Sequence, residues 1–510
     1  MDFMGRMHEP SAGATPIASF DLRAAKPSRI ATLILFVLCA APPLGCGAAE
    51  LRVGTASIDI TPDQPVALDG QFETRISRGV DNPITATAVA LEAREGDRVV
   101  DQAILLSADL VVFRSPVPPP LRERLRAELP DFDPRKLVLT ATHTHTGPVT
   151  EEGKYQLPSE GVMQPSEYVR FLVDRLVEVA ARAWHRREPG GVSWGLGQAV
   201  IGHNRRAVYG DGTARMYGST SQPDFRGIEG GADHGVELLF FWDRQAELRA
   251  VGVNVACPSQ EVESRSTVNA DFWHDVREQV HAATTTNLAV LGWPGAAGDL
   301  SPHWLYRKPA EERMLKLRGL TRTQDIGRRL AREVLDVCAL SRRELRTEVP
   351  FAHHVEELVL PARKVTEAEV EEARKEIEAL KQKGDTSRRT AWHEALLERY
   401  RTQGAAPTFT VEVHVLRIGD IAIATSPFEL YQDYGTQIKS RSKALQTFVL
   451  ELTGGWGGYL PSSRAVAGGG YGAVVQSGRV GPEGGQVLVD RTVELIHGFW
   501  DTPTRMQPQP

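Results

Sequence analysis

From Leu51 onward, apolar positions fall into two kinds of run. Short β-branched or near-continuous apolar runs stand at 51–54, 56–61, 87–94, 99–110, 136–141, 192–200, 235–242 and 248–257, and predict strands. Apolar residues at helical spacing stand at 121–129, 167–187, 271–283 and 325–340, and predict helices. The two kinds interleave without a strict strand–helix alternation. The expected fold class is therefore α/β, one large unit of mixed sheets with helices packed outside.

Further along, Thr366-Glu367-Ala368-Glu369 is a capping box that opens a charged helix to about residue 383. Gly384-Asp385 turns the chain, and a second helix is predicted over 388–401. Charges at helical spacing make this pair a solvated surface hairpin, at about 366–402. Strands resume at 410–418, 421–425 and 447–452 and lead into a glycine-rich stretch, 454–472. Its Gly468-Gly469-Gly470 run suits either a mobile loop or simple tight turns.

The N-terminus breaks the pattern. Lys26-Pro27-Ser28-Arg29 precedes an apolar run over 30–41, and Gly47-Ala48-Ala49 supplies small residues for cleavage. This is the layout of a signal peptide and is short for a membrane span. Residues 1–49 are expected to be a leader, the protein to be exported, and the folded domain to cover 50–505. Cys46 raises a lipoprotein anchor, but Pro43-Leu44-Gly45 is a poor match to what precedes a lipidated cysteine.

Composition changes the picture little. The chain has 510 residues, a formal net charge of −6 and 24% charged residues, with no basic excess to suggest nucleic acid as a partner. Of four cysteines, only Cys257 and Cys338 lie beyond the leader, which excludes a disulfide framework.

The chemistry concentrates at strand ends. His143 and His145 lie in Ala141-Thr142-His143-Thr144-His145-Thr146-Gly147-Pro148, just after the strand at 136–141. Residues two apart along an extended run share a face, so two imidazoles are expected to emerge side by side at the strand end. Neutral imidazole is a good zinc ligand. The plainer reading is a pair of hydrogen-bonded loop histidines. Four other segments place polar residues after apolar strands: Asn254 to Glu261, Gly298-Asp299-Leu300-Ser301-Pro302-His303, Ser426-Pro427-Phe428-Glu429-Leu430-Tyr431, and Gly457 to Tyr471. Each alone reads as a loop with turn residues.

Together and in this order, these segments resemble the catalytic domain of the neutral ceramidases, over about residues 51–500. The His-Thr-His-Thr-Gly-Pro run is similar to that family's His-x-His signature, with Thr146 in the place of a serine. Gly298 to Pro302 resembles its Gly-Asp/Asn-x-Ser-Pro motif, with His303 where the family has asparagine. The segment at Pro427-Phe428-Glu429 resembles the one that carries a zinc-binding glutamate. Tyr459 and Tyr471 match the spacing of a zinc-ligand tyrosine and a second active-site tyrosine. The match of His203-Asn204-Arg205-Arg206 to a substrate-side segment is weaker.

The resemblance implies a zinc-dependent hydrolase that cleaves the amide of a ceramide-like or other N-acyl substrate by metal-activated water, with Zn2+ as cofactor. His143, Glu429 and Tyr459 would be ligands. The family's second zinc histidine falls, by counting back from Asp271, on Cys257, a softer but competent ligand. His145 would serve as proton shuttle or alternative ligand, and Gln260, Glu261 and Glu263 are further candidates to compensate. Tyr471 would donate to the developing oxyanion. Ser301 would be a nucleophile or a hydrogen-bond partner of the attacking water, and the second role is preferred because no adjacent base is legible. Asn204 and Arg205 would face substrate. The partner is a small-molecule or lipid substrate; membrane-surface contact is compatible with this, and no protein partner is implied. An immunoglobulin-like domain that follows the family's catalytic domain is expected to be absent here, so ceramide as substrate is not inherited automatically. The competing expectations are an esterase using the same site and a non-catalytic binding protein on the same scaffold.

Overall fold

A computed structural model describes residues 48–285 and 287–501. Residues 1–47 of the expected leader lie outside the described residues, while Ala48 and Ala49 belong to the first strand. Twelve strands join into one mixed sheet. Its branch point is the strand Ala48–Asp59, two residues earlier than the expected start of the domain. This strand pairs along 50–59 with Thr85–Glu95, and its first residues pair with Glu348–Pro361. At Arg52 and Val53 it also meets Glu188–Gln198. Two of these neighbours pair with it in succession, so the sheet divides along this strand. The sheet folds over itself, and Leu51, Leu91, Leu105, Phe241, Trp293, Ile418 and Phe448 fill the space between its leaves. The Ser107 hydroxyl donates across that space to the Gly292 carbonyl, at 2.7 Å.

Helices cover the outer faces. Pro165–His185 packs on the first leaf through Tyr168, Leu172 and Leu176. Phe272–Ala283 and Arg322–Ser341 lie together over Gly235–Asp243 and Glu188–Gln198. Gln432–Arg441 and Pro482–Asp501 close the third face. With both faces covered, residues 86–93 are buried without interruption, which explains why this strand reads as an apolar run rather than an alternation.

The expected hairpin is present as Glu367–Gln382 and Arg389–Thr402, and Thr366 caps the first helix through the Glu369 amide. Sequence patterning missed Glu348–Pro361, Lys308–Arg318, Gln432–Arg441 and Pro482–Asp501. Pro482–Asp501 was masked by Gly484 and Gly485, which look like breakers. In the fold they let the helix approach closely: a Cβ on Gly485 would stand 2.5 Å from the Tyr434 ring, and one on Gly484 would stand 2.6 Å from the Pro361 carbonyl.

Within the large sheet, three pairs of neighbouring strands are parallel: Arg98–Ala108 with Leu137–Ala141, Leu248–Val255 with Ala289–Pro294, and Ile421–Thr425 with Gln446–Leu450. Parallel neighbours end on the same side. The loops leaving these carboxyl ends meet, and they carry the polar segments described above.

Candidate active site

The strand Leu137–Ala141 stops before the histidines. His143 then takes a left-handed backbone, with φ at +66°. For a non-glycine residue this conformation costs on the order of 1 kcal/mol or more, and it persists only where neighbours over-determine it. They do so here. Thr142 donates to Asp109 at 3.2 Å, and Arg277 brackets the same carboxylate at 2.7 and 2.9 Å. The Thr144 and Thr146 hydroxyls both donate to the Asn269 carbonyl, at 2.8 and 2.7 Å. The Ser259 hydroxyl donates to the Thr142 carbonyl at 2.7 Å. The expectation of an extended run is corrected. The two imidazoles still meet, with centroids 4.9 Å apart, but the left-handed turn brings them together.

Both rings are fixed from behind. His143 Nδ1 is 2.8 Å from the Val111 carbonyl, which can only accept, so this nitrogen carries the proton. Burial pushes the His143 pKa down to about 4, so the ring is neutral at pH 7 and Nε2 presents a lone pair. That atom lies 3.4 Å from His145 Nε2 and 3.7 Å from Glu429 Oε2. His145 Nδ1 lies 3.0 Å from Glu263 Oε2, and Gln260 Nε2 lies 2.9 Å from His145 Nε2. Gly70, with φ at +99°, lies against the His145 ring; a Cβ there would stand 2.4 Å from it. Burial works against the Glu263 carboxylate, but hydrogen bonds from His145 and His303 more than offset it and hold Glu263 well below the usual carboxylate range.

Glu429 and Tyr459 come from separate loops and sit opposite each other in a short parallel pair. The Tyr459 phenol hydrogen-bonds Glu429, and burial followed by that negative charge raises its pKa well above the usual value. Arg205 joins the two halves of the site. One terminal nitrogen donates to Gln260 Oε1 at 3.0 Å and the Tyr217 hydroxyl at 3.1 Å. The other donates to the Gly298 carbonyl at 3.0 Å and the Tyr459 hydroxyl at 3.2 Å. The Tyr217 hydroxyl in turn donates to Ser301 Oγ at 3.0 Å. Tyr471 packs edge-on against Tyr459, with centroids 5.5 Å apart, and burial pushes its pKa up to about 12.

The structure thus brings together His143, His145, Glu429, Tyr459, Tyr471, Ser301 and Arg205. Asn204 stands behind them, its amide nitrogen on Asp299 at 2.7 Å and its oxygen accepting the Arg206 amide at 3.1 Å, so both ends are engaged. Cys257 does not join the group. It sits in the apolar cluster with Val255, Phe272 and Ile326, and its Sγ is 3.6 Å from the Pro258 carbonyl. Burial raises its thiol well above the usual value, which keeps it protonated. The flank of the histidine pair belongs instead to Gln260, three residues further along.

Sequence reading gave Arg206 no role of its own. This fully buried guanidinium pairs with Glu229 at 2.6 Å and donates to the Ala465 and Gly469 carbonyls at 3.1 and 2.8 Å, which fixes the loop carrying Tyr471. Tyr217 was missed too. It lies in a weakly patterned stretch, and its role depends on folding back over Ser301. A cavity of about 960 Å3 lies between the 351–354 segment and the last helix, and none of these residues lines it.

The donor chemistry can be tested against zinc. Zinc–nitrogen bonds of about 2.0 Å in a tetrahedron imply ligand separations of roughly 3.3 Å, close to the distance between the two Nε2 atoms. A lone pair on neutral His143 facing Glu429 and His145, with no proton available to its Nε2, suits a cation. Among the described residues, no group of three or more His, Cys, Asp or Glu side chains is arranged to hold a metal ion.

No family model matches the chain. A neutral ceramidase of Pseudomonas aeruginosa is 28% identical over 216 residues, which cover 42% of this chain and 27% of the relative. A solved ceramidase complexed with C2 superposes with a TM-score of 0.65 at 16% identity, covering 90% of this chain and 77% of that one. The crystal structure of the Pseudomonas aeruginosa neutral ceramidase gives 0.64 at 18% identity with the same coverage. The chain is thus similar to neutral ceramidases, in sequence over part of its length and in fold over most of it. Its mixed sheet flanked by helices is the fold of the ceramidase structures, as the sequence motifs led one to expect. The sequence match to the neutral ceramidase spans about a quarter of the curated relative's length.

Proposed function

We propose that the protein is an exported, zinc-dependent hydrolase that cleaves the amide of a ceramide-like or other N-acyl substrate. The observation that carries this reading is the neutral His143 Nε2, buried and facing Glu429 and His145 with no proton to share. His143, Glu429 and Tyr459 would hold the ion, with His145 beside them. Bound zinc would supply a more acidic water and a polarised carbonyl.

The chain's own groups cover the remaining needs of amide hydrolysis. His145 would either join the ligands through Nε2 or, left off the ion, take a proton from the attacking water there and return it to the leaving amine, with Glu263 behind Nδ1 holding the ring in position. Arg205, through the Tyr459 hydroxyl, directs positive charge to where the oxyanion develops, and Tyr471 offers a second donor. Ser301 accepts from Tyr217 and from the His303 amide and has no base beside it, which favours a role in orienting water over one as nucleophile. An ester would satisfy the same geometry. The export reading rests on the leader pattern of the sequence.

A binding protein on the same scaffold is favoured by one observation, the separation of Cys257 from the other donors. Zinc content decides between the readings. Elemental analysis of the purified protein, together with hydrolysis of N-acylsphingosine, should give about one zinc per chain and turnover, both lost in Glu429→Ala. Stoichiometric zinc in that variant would remove the ligand assignment, and a wild-type protein without zinc or turnover would favour the binding protein.

A further inference from the structure

Two cavities flank the site, and they differ in character. One, of about 640 Å3, is lined by Tyr217, Ser219, Thr220, Ser221, Glu263 and His303, a wall of hydroxyls and charge. The other, of about 500 Å3, lies beyond Tyr471 and runs beneath the helical hairpin. Its inner wall is aromatic. Phe72, Trp392 and Tyr471 stand with mutual centroid distances of 5.7, 5.8 and 5.9 Å, and Tyr471 continues the row to Tyr459. Val466, Val474 and Val475 complete the apolar lining.

The hairpin is held over this cavity from two sides. The Arg388 amide donates to the Phe72 carbonyl at 3.0 Å, and Arg389 pairs with Glu73 at 2.8 Å. At the other end, Arg399 donates to the Val475 and Gly478 carbonyls at 3.2 and 2.8 Å. Val370, Ala373 and Leu396 of the hairpin share a small core with Val475. The charged residues of the lining have other partners or lie at the rim: Arg363 pairs with Glu369, while Glu372 and Glu376 lie on the exposed face of their helix. Tyr471 explains the connection to the chemistry. Its hydroxyl end meets Tyr459, while the residue as a whole is 40% exposed.

We propose that the cavity beneath the hairpin holds the acyl chain of the N-acyl substrate, with Trp392 as the residue that sets chain-length preference and the hydroxyl-lined cavity receiving the polar head. This rests on the reading of the site as an N-acyl hydrolase. The amide then lies between the cavities, beside Arg205 and Tyr459. An aromatic floor stabilises a chain through burial, and each buried methylene contributes roughly fourfold in affinity. The volume is within the range of about 300–1,000 Å3 usual for small-ligand pockets, which suits one chain rather than two.

The test uses a series of N-acyl amides of one amine, with acyl chains from two to sixteen carbons, on wild type, Trp392→Ala and Trp392→Phe. Wild-type kcat/KM should climb roughly fourfold per methylene until the cavity is filled. Trp392→Ala should raise KM for medium chains by about tenfold or more, leave the two-carbon substrate within about threefold, and keep kcat. Trp392→Phe should restore most of the slope. An equal loss at every length would reduce Trp392 to a structural residue and overturn the proposal. Binding is read separately, with a brominated acyl amide that quenches tryptophan fluorescence: quenching should occur in wild type and fall sharply in Trp392→Phe. Absence of quenching in wild type, or its full retention in Trp392→Phe, would overturn the proposal. Quenching without hydrolysis would leave the subsite standing and overturn the hydrolase reading instead.

Discussion

Arg205 and Tyr459 meet at 3.2 Å although 254 residues separate them, and the same guanidinium nitrogen donates to the Gly298 carbonyl, so Arg205 ties the loop bearing Tyr459 to the loop bearing the Gly-Asp-x-Ser-Pro motif. Arg205 spends its donors on four different acceptors at once. A lysine, with one nitrogen on a flexible stem, cannot reproduce that fork. Arg205→Lys should therefore lower kcat by about 100-fold with a smaller change in KM, as expected when a donor to the oxyanion region is lost. Steady-state kinetics on a short-chain amide would check it; an unchanged kcat would show that Arg205 only braces the loops.

Cys257 gives a prediction in the opposite direction. Because it lies within apolar packing rather than among the donors, Cys257→Ala should keep zinc content and leave activity within about threefold. The lost packing should cost about 1 kcal/mol of stability. Zinc loss in this variant, measured by elemental analysis against wild type, would return Cys257 to the ligand set.

Arg206 should behave as a structural clamp with a catalytic consequence. Arg206→Ala leaves Glu229 buried without its cation and frees the Ala465 and Gly469 carbonyls. A cost of about 3–5 kcal/mol is expected for breaking such a buried pair. Denaturant unfolding should show a lower midpoint, and Glu229→Gln should be milder. Equal stability of Arg206→Ala and wild type would refute the clamp.

Asp325 supplies a pH dependence. Burial acts to raise its pKa, but Arg328 and Arg329, at 2.8 Å each, more than offset that and lower it. A carboxylate depressed in the folded state contributes stability above its unfolded pKa of about 3.9, and that contribution is lost as pH falls below this value. Asp325→Asn should thus cost about 2 kcal/mol at neutral pH, and the gap should close toward pH 3. A gap constant across that range, in urea melts at several pH values, would contradict the assignment.

The fold was legible where burial imposes a pattern. Residues 86–93 and 421–425 read as strands because both faces are covered, and Thr366 announced its helix through the capping box. Legibility failed where polar residues occupy a strand that packs at the sheet's edge of regularity. Glu348–Pro361 carries His353, His354, Glu356 and Glu357, and its partners in Thr408–Ile418 are far along the chain. In the site, polar segments after apolar strands were readable, and the resemblance singled out His143, Glu429 and Tyr459, which the fold brings near one another. Their orientation was not. Cys257 and Gln260 differ by three positions, and only the fold decides which of them turns toward His145. The two histidines meet through a left-handed residue that no pattern of side chains encodes.

The helical hairpin leaves the sheet at Pro361 and returns at Thr408, and those two residues are directly paired across adjacent antiparallel strands. Geometrically, the whole segment is a detour between neighbours that already touch. A short turn could replace it without opening a gap in the sheet, and a hairpin of different length or lining could be inserted at the same two points. The roof over the acyl-side cavity is thus separable from the strand ends that carry the reactive groups, and exchanging it offers a route to new substrates that leaves His143, Glu429 and Tyr459 where they stand.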